Sequence, residues 1–285
     1  MGNRKAATDQ VMYALHSIKK SPTAMVGIFM VAIVVFIAIL APFIAPHPEQ
    51  VYRVNIKERL QPPTQEHLFG TDNYGRDIIS RIIFGSRISL QVAVIVVSLA
   101  SLLGITVGLV SGYYGGIVDT VIMRLTDAFL AFPPLVLALC IQAALGPSVS
   151  NTMIALSLVW WTWCARIVRG QVLGIKEELY IESARTIGVG NLRMMFRHIL
   201  PNCTGPIIVQ VTLQMGYAVL ATAGLGFLGV GAQEPLPEWG LMVASGREFL
   251  PNWWWVSTFP GLAIFWMVLG FCLVGDAIRD IYERS

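Results

Sequence analysis

The sequence predicts an all-α polytopic membrane protein with about six transmembrane helices, and three observations carry that prediction. Of its 285 residues 55% are hydrophobic and only 13% charged, against about 25% charged in soluble domains. Several runs near or above the ~20 residues needed to cross hydrocarbon contain few or no charges. Lys and Arg are also unevenly shared between alternate hydrophilic segments, twelve against seven. The side with the excess is read as cytoplasmic, so both termini are expected inside.

Residues 1–23 are expected to form a cytoplasmic tail. Within it Asp9 to Lys20 patterns as a short amphipathic helix, with Val11, Met12, Leu15 and Ile18 on one face. Its lysines, Lys19 and Lys20, suit lipid headgroups. Residues 24–285 form the membrane domain. Its first span, Ala24–Ala45, is too long for a signal-peptide core and has Pro42 and Pro46 where cleavage would occur, so it is read as uncleaved.

A hydrophilic segment over 47–87, expected outside, leads to the second span, Ser89–Ser111. Gly104, Gly108, Gly112 and Gly116 recur every four residues there, giving a bare helix face for close backbone approach. The third span, Val118–Leu145, carries Arg124 and Asp127, which can pair at three-residue spacing. Phe132 and Pro133-Pro134 predict a kink or break, because proline removes a helix hydrogen bond and restricts the residue before it. Freed carbonyls and ionisable groups point this span toward the bundle interior, so Arg124, Asp127, Phe132, Pro133 and Pro134 are candidate path-lining residues. A structural ion pair with a packing kink is the alternative.

The fourth, fifth and sixth spans are Val149–Val168, Gly205–Gly229 and Val256–Gly275. Between the fourth and fifth lies a cytoplasmic loop, 169–204; between the fifth and sixth, an outer loop, 230–255. Trp253, Trp254 and Trp255 suit an interfacial belt.

Several chemistries are excluded. There is no G-x-x-x-x-G-K-[ST] phosphate loop, so ATP hydrolysis of the P-loop kind is not expected from this chain. Gly224–Gly229 matches G-x-G-x-x-G, but it closes a membrane span with no βαβ unit around it, and reads as a helix break. Cys140, Cys164, Cys203 and Cys272 are scattered among apolar residues and read as packing residues. Asp77 caps the helix expected from Ile78, with Gly70 and Gly75 at turns. His67, Asp72 and Asp77 show no recognised ligand spacing, so no metal site is expected. No nucleophile–base set suggests an enzyme.

The loop 169–204 is the informative segment. Glu178–Ile187 patterns as a helix with Tyr180, Ile181, Ala184 and Ile187 on one face. Gly188 and Gly190 break it, and Leu192, Met195, Phe196 and Ile199 make a second apolar stripe that stops at Pro201. Such helices could dock into a partner or lie on their own bundle, and patterning leaves both open.

Glu182-Ser183-Ala184, then Gly188, then Leu200-Pro201 resemble the EAA loop of ABC importer permeases, with Ser183 for an alanine and His198 at the isoleucine position. Phe69–Asp77, Gly226–Gln233 with Pro237–Gly240, and Gly275–Asp280 are similar to segments of the C-type permease of dipeptide, oligopeptide and nickel importers. The resemblance implies a type I ABC permease fold in the cell inner membrane, translocating di- or oligopeptides, with nickel as the alternative cargo. It implies a second homologous permease, two ATPase subunits that bind ATP and Mg, and a solute-binding protein, with no cofactor or catalytic residue here. Glu182, Ser183, Ala184, Gly188, Leu200 and Pro201 would couple to the ATPases. An ion-coupled secondary transporter is the competing class, and lacks a convincing internal repeat.

Overall fold

The computed structural model describes residues 21–283, so the amphipathic helix expected over Asp9 to Lys20 lies outside the described residues. Nine helices of eight or more residues build one bundle among the described residues. The first, α1 (Pro22–Ile44), is started by Ser21, whose hydroxyl accepts from the Ala24 N–H. Pro42 inside it has no N–H for the Ala38 carbonyl four residues back. Arg87 supplies the missing donor: its Nε lies 2.6 Å from the Ala38 oxygen, and a second nitrogen lies 3.0 Å from that of Ile39.

Arg87 belongs to α2 (Ile78–Tyr114), which begins eleven residues before the expected second span. Hydropathy misses this first part because it carries Ser80, Arg81, Ser86 and Arg87. The first three of these are buried against protein. The glycine stripe holds for three of its four members. A methyl at Gly104, Gly108 or Gly112 would meet Trp161, Ala165 or Val172 of α5 (Val149–Ile175) within 3 Å. Gly116 does not belong to it: α2 has ended, and Gly115 and Gly116 both take positive φ to turn the chain in open space.

The third expected span is bent far more sharply than a kink. α3 (Gly116–Leu130) and α4 (Pro134–Leu145) meet at 88°, broken over Ala131–Pro133. Pro133 and Pro134 cannot continue the ladder, and Pro134 instead starts the new helix. Only Thr126, Ala138 and Gln142 of the pair are buried; Val121, Leu125, Phe132, Leu135 and Val136 are more than half exposed. The expectation that this span faces the bundle interior is therefore overturned. The pair lies at the periphery, with one narrow edge on α5.

After α5 come α6 (Leu179–Thr186), a short helical turn at Asn191, a π-helical turn (Met194–Ile199) and a 3₁₀ turn (Leu200–Cys203), which run on into α7 (Thr204–Phe227). Pro201 does not stop the second stripe as expected. The widened π turn precedes it, and helix resumes beyond. α8 (Trp239–Gly246) lies in the 230–255 segment, and α9 (Trp255–Glu283) closes the bundle against α1 and α7.

Among the described residues four helical stretches are long and apolar enough to cross a membrane, and the bent α3–α4 pair would make a fifth. Length and apolarity thus support four or five spans against the expected six or so. α5 is 27 residues long, but Trp160, Trp161, Thr162, Trp163 and Arg166 dilute its apolar character. Its inward face is nonetheless buried from Thr152 to Val172, so it stands within the bundle.

Candidate functional site

The loop after α5 is shorter in irregular chain than 169–204, because α5 runs to Ile175 and helix resumes at Asn191. Its apolar residues divide into two sets. Ile181, Ala184, Met194, Met195 and Ile199 are buried and form one cluster with Leu109, Val168 and Val172 of α2 and α5. Leu179 (78% exposed), Ile187 (81%), Leu192 (69%) and Phe196 (52%) point away and cover nothing. The expected face of Tyr180, Ile181, Ala184 and Ile187 is thus split, with Ile181 and Ala184 inward and the other two outward.

Glu182 is exposed on α6, and Ser183, also exposed, returns its hydroxyl to the Leu179 carbonyl (2.8 Å). Gly188 takes φ +83° with open space around it, while the Val189 N–H closes on the Ala184 carbonyl. That is a helix C-terminus of the left-handed glycine type. Leu200 is half-buried and Pro201 exposed. Ile199, one residue after half-exposed His198, is fully buried. Asn202 donates to the Tyr180 hydroxyl (3.1 Å), tying the two halves of the loop together.

Arg124 and Asp127 do not pair with each other. Asp127 bonds Arg166, and about two turns away Asp119 takes both the Nε (2.5 Å) and a terminal nitrogen (2.6 Å) of Arg169. Both carboxylates therefore link α3 to α5 across helices. The reach to α5 is favoured because Arg166 and Arg169 line the same edge as Asp127 and Asp119. Beside them α2, α3 and α5 enclose an open apolar groove of about 370 Å³, lined by Leu103, Val107, Val110, Ile122, Leu125 and Trp161. Phe132 and Leu135 stand on the bare face at the α3–α4 break.

The opposite end of the bundle holds residues that sequence reasoning missed. Asp77 caps α2 as expected, its Oδ2 accepting from the Ser80 N–H. Next to it Arg76, 2% exposed, donates to Asp72 (2.7 Å) and by two nitrogens to Glu234 (2.6 and 3.2 Å). Arg81, fully buried, donates to the carbonyls of Val51, Pro235 and Leu236. Glu238 caps α8, accepting from the Gly240 and Leu241 N–H groups at 2.9 and 2.7 Å. Burial pushes its carboxyl up to about 7 against those two backbone bonds, which pull the other way. The decoy glycines serve this packing: any side chain on Gly226 would strike the Glu238 carboxylate.

Comparison with known proteins fits this arrangement. Residues 104–285 match the family model described as the binding-protein-dependent transport system inner membrane component. Residues 10–63 match the N-terminal transmembrane domain of oligopeptide transport permease C. A dipeptide transport system permease protein of Alkalihalophilus pseudofirmus is 45% identical over 95% of this chain and 88% of its own length. One from Escherichia coli is 45% identical over 94% and 91%, and a probable D,D-dipeptide permease of the same organism is 40% identical over 93% and 89%. Among solved structures, the inward-facing MetNI methionine ABC transporter superposes with a TM-score of 0.58 at 17% identity. It covers 73% of this chain and 98% of the compared one. An amino acid ABC transporter gives 0.54 at 18%, over 73% and 95%.

Proposed function

This chain belongs to the binding-protein-dependent inner-membrane permeases, in their dipeptide and oligopeptide C-type branch, and on that premise we propose that it forms half of the peptide path of an ATP-driven importer. It is a multi-pass inner-membrane subunit without a nucleotide site, and ATP is hydrolysed in separate ATPase subunits. The second half of the path is a homologous permease, and a solute-binding protein delivers the cargo. The relatives described above are peptide permeases by name, which supports peptides over nickel.

The observation that carries the coupling assignment is the divided loop. Its inner residues are fixed to α2 and α5, while Leu179, Ile187, Leu192 and Phe196, on both sides of Gly188, stay exposed in the same loop as Glu182. A soluble surface rarely leaves four such side chains together unless a partner covers them. The ATPase subunit is that partner, with Glu182 meeting a basic group on it and Gly188 acting as the hinge. The bare face of α3 and α4, from Leu125 through Phe132, Pro133 and Pro134, meets the second permease and lines the path; Arg124 and Asp127 stand at its loop-side edge. The chain crosses six times with both termini inside, α5 and the bent pair each counted as a crossing.

Gly188→Val tests the coupling role. No atom lies near enough to clash, but a β-branched residue at positive φ costs roughly 1–2 kcal/mol, so the loop re-forms differently. The expected result is normal insertion with peptide uptake lost and ATPase activity no longer stimulated by cargo. Wild-type uptake would refute the assignment. Topology has its own test: cysteines replacing Ser183 and Ser245, in a chain lacking the native four, should react with an impermeant thiol reagent from opposite sides.

A further inference from the structure

We propose that His47, His67 and Asp77 form a binding site for a divalent transition-metal ion, joining the end of α1 to the start of α2. The three residues are 20 and ten positions apart in sequence, a spacing that shows no ligand motif, and only the fold assembles them. One ring nitrogen from each histidine and a carboxylate oxygen of Asp77 lie within 4.8 Å of one another, and the two rings stand 5.1 Å apart. His67 and Asp77 are 1% and 0% exposed. Asp77 is held by its cap: Oδ2 accepts from the Ser80 N–H, which leaves Oδ1 facing His67 Nδ1 at 2.9 Å.

A second observation points the same way. His67 Nε2 is buried without a hydrogen-bond partner, and so is Glu58 Oε2, 3.6 Å from it. Two unpaired polar atoms facing each other are costly if nothing else acts there. An ion on Nδ1 places the ring proton of neutral His67 on Nε2, aimed at Glu58. Closing the 3.6 Å gap by a few tenths of an ångström would complete the carboxylate–histidine–metal arrangement, in which an outer carboxylate orients a ligating imidazole. His47 is the adjustable ligand. Its ring is partly exposed and bonds the Glu66 carbonyl (3.0 Å), with Glu49 beside it, which gives an ion a way in. Two imidazoles and one carboxylate suit Zn²⁺, Ni²⁺ or Cu²⁺, whereas Mg²⁺ and Ca²⁺ prefer all-oxygen sites. The competing account is a protonated His67 paired with Asp77 and Glu58, without metal.

The full-length chain, assembled with its partner subunits and stripped with chelator, is titrated with Zn²⁺, Ni²⁺ and Mg²⁺, and bound metal is counted. The wild type should retain about one equivalent more Zn²⁺ or Ni²⁺ than His47→Ala, and no more Mg²⁺. It should also show Co²⁺ absorption bands that His47→Ala lacks. Added Zn²⁺ should raise the unfolding temperature of the wild type and leave that of His47→Ala unmoved. His67→Gln should lose the metal as well; if it fails to fold, His47→Ala carries the test alone. Absence of binding in the wild type, or equal binding by His47→Ala, overturns the proposal and leaves His67 as an ion-paired core residue.

Discussion

The two ends of this bundle are built on opposite terms. At the 47–77 and 230–250 end, charged groups are buried and answered within the chain: Arg76 by Asp72 and Glu234, Arg81 by three carbonyls, Asp77 and Glu238 by the helix starts they cap. At the 176–204 end the charges are exposed and four large apolar side chains cover nothing. Apart from the His47–His67–Asp77 cluster and the Glu58 that faces it, the first end is closed by its own side chains and backbone; the second, on the function proposed above, is finished by another molecule. Substitutions at the first should therefore cost folding, and those at the second should cost assembly while leaving the fold alone.

The largest effect is expected at Arg76→Ala. Removing one partner of a buried ion pair costs about 3–5 kcal/mol, and Asp72 and Glu234 would be left to their longer contacts with Arg81, 3.6 Å from each. Unfolding temperature in detergent and the amount of chain in membranes should both fall sharply. Gly108→Val comes next. The added side chain would press on the Ala165 carbonyl of α5, backbone that has no rotamer to yield. Overpacking of this kind costs about 1–3 kcal/mol, read in the same unfolding experiment.

Glu238 gives a smaller, pH-dependent effect. Its folded carboxyl sits at about 7 against 4.5 in its ordinary state, so the folded chain holds a proton that the unfolded chain has released. That contribution is complete below about pH 4.5 and is lost as pH rises through 7. Unfolding temperature should thus decline from pH 5 to pH 8 in the wild type, and Glu238→Gln should flatten the slope. The smallest effect on stability belongs to Leu192→Ser combined with Phe196→Ser. Exposed positions usually change stability by no more than about 0.5 kcal/mol, yet co-purification of the ATPase subunits should fail. Comparable loss of stability here and at Arg76 would erase the contrast between the two ends.

What could be read in the sequence follows the range of the forces involved. α1, α7 and α9 begin and end within a few residues of the expected spans, except that α9 runs on to Glu283, because an uninterrupted apolar run specifies them locally. The helix of the loop and its glycine stop were legible for the same reason. The expected second span starts eleven residues after α2 does, since Ser80, Arg81 and Ser86 look polar in sequence but are buried against protein, not water. The Arg76–Glu234 pair joins residues 158 positions apart, which no local pattern encodes. Arg124 and Asp127 were matched by helical spacing alone, and the better-placed arginines of α5 won. Of the seven cations expected outside, Arg76, Arg81 and Arg87 are engaged in folded contacts, so their placement answers to packing and dilutes the charge bias.

The bare seam between α2 and α5 has a mechanical consequence. A layer of leucines between two helices acts as a spring, because rotamers change and displacement is absorbed. At Gly104 and Gly108 the α5 backbone stands directly against the bare face, and at Gly112 the Val172 stem does, so there is little to compress. α5 continues to Ile175, just short of α6, so a push on Leu179 enters α5 almost at once. It then passes to α2, a rod of roughly 55 Å at 1.5 Å per residue, whose far end is bolted by Arg76 to Glu234. If the loop docks as proposed above, loop and far end are two handles of one lever with little lash between them.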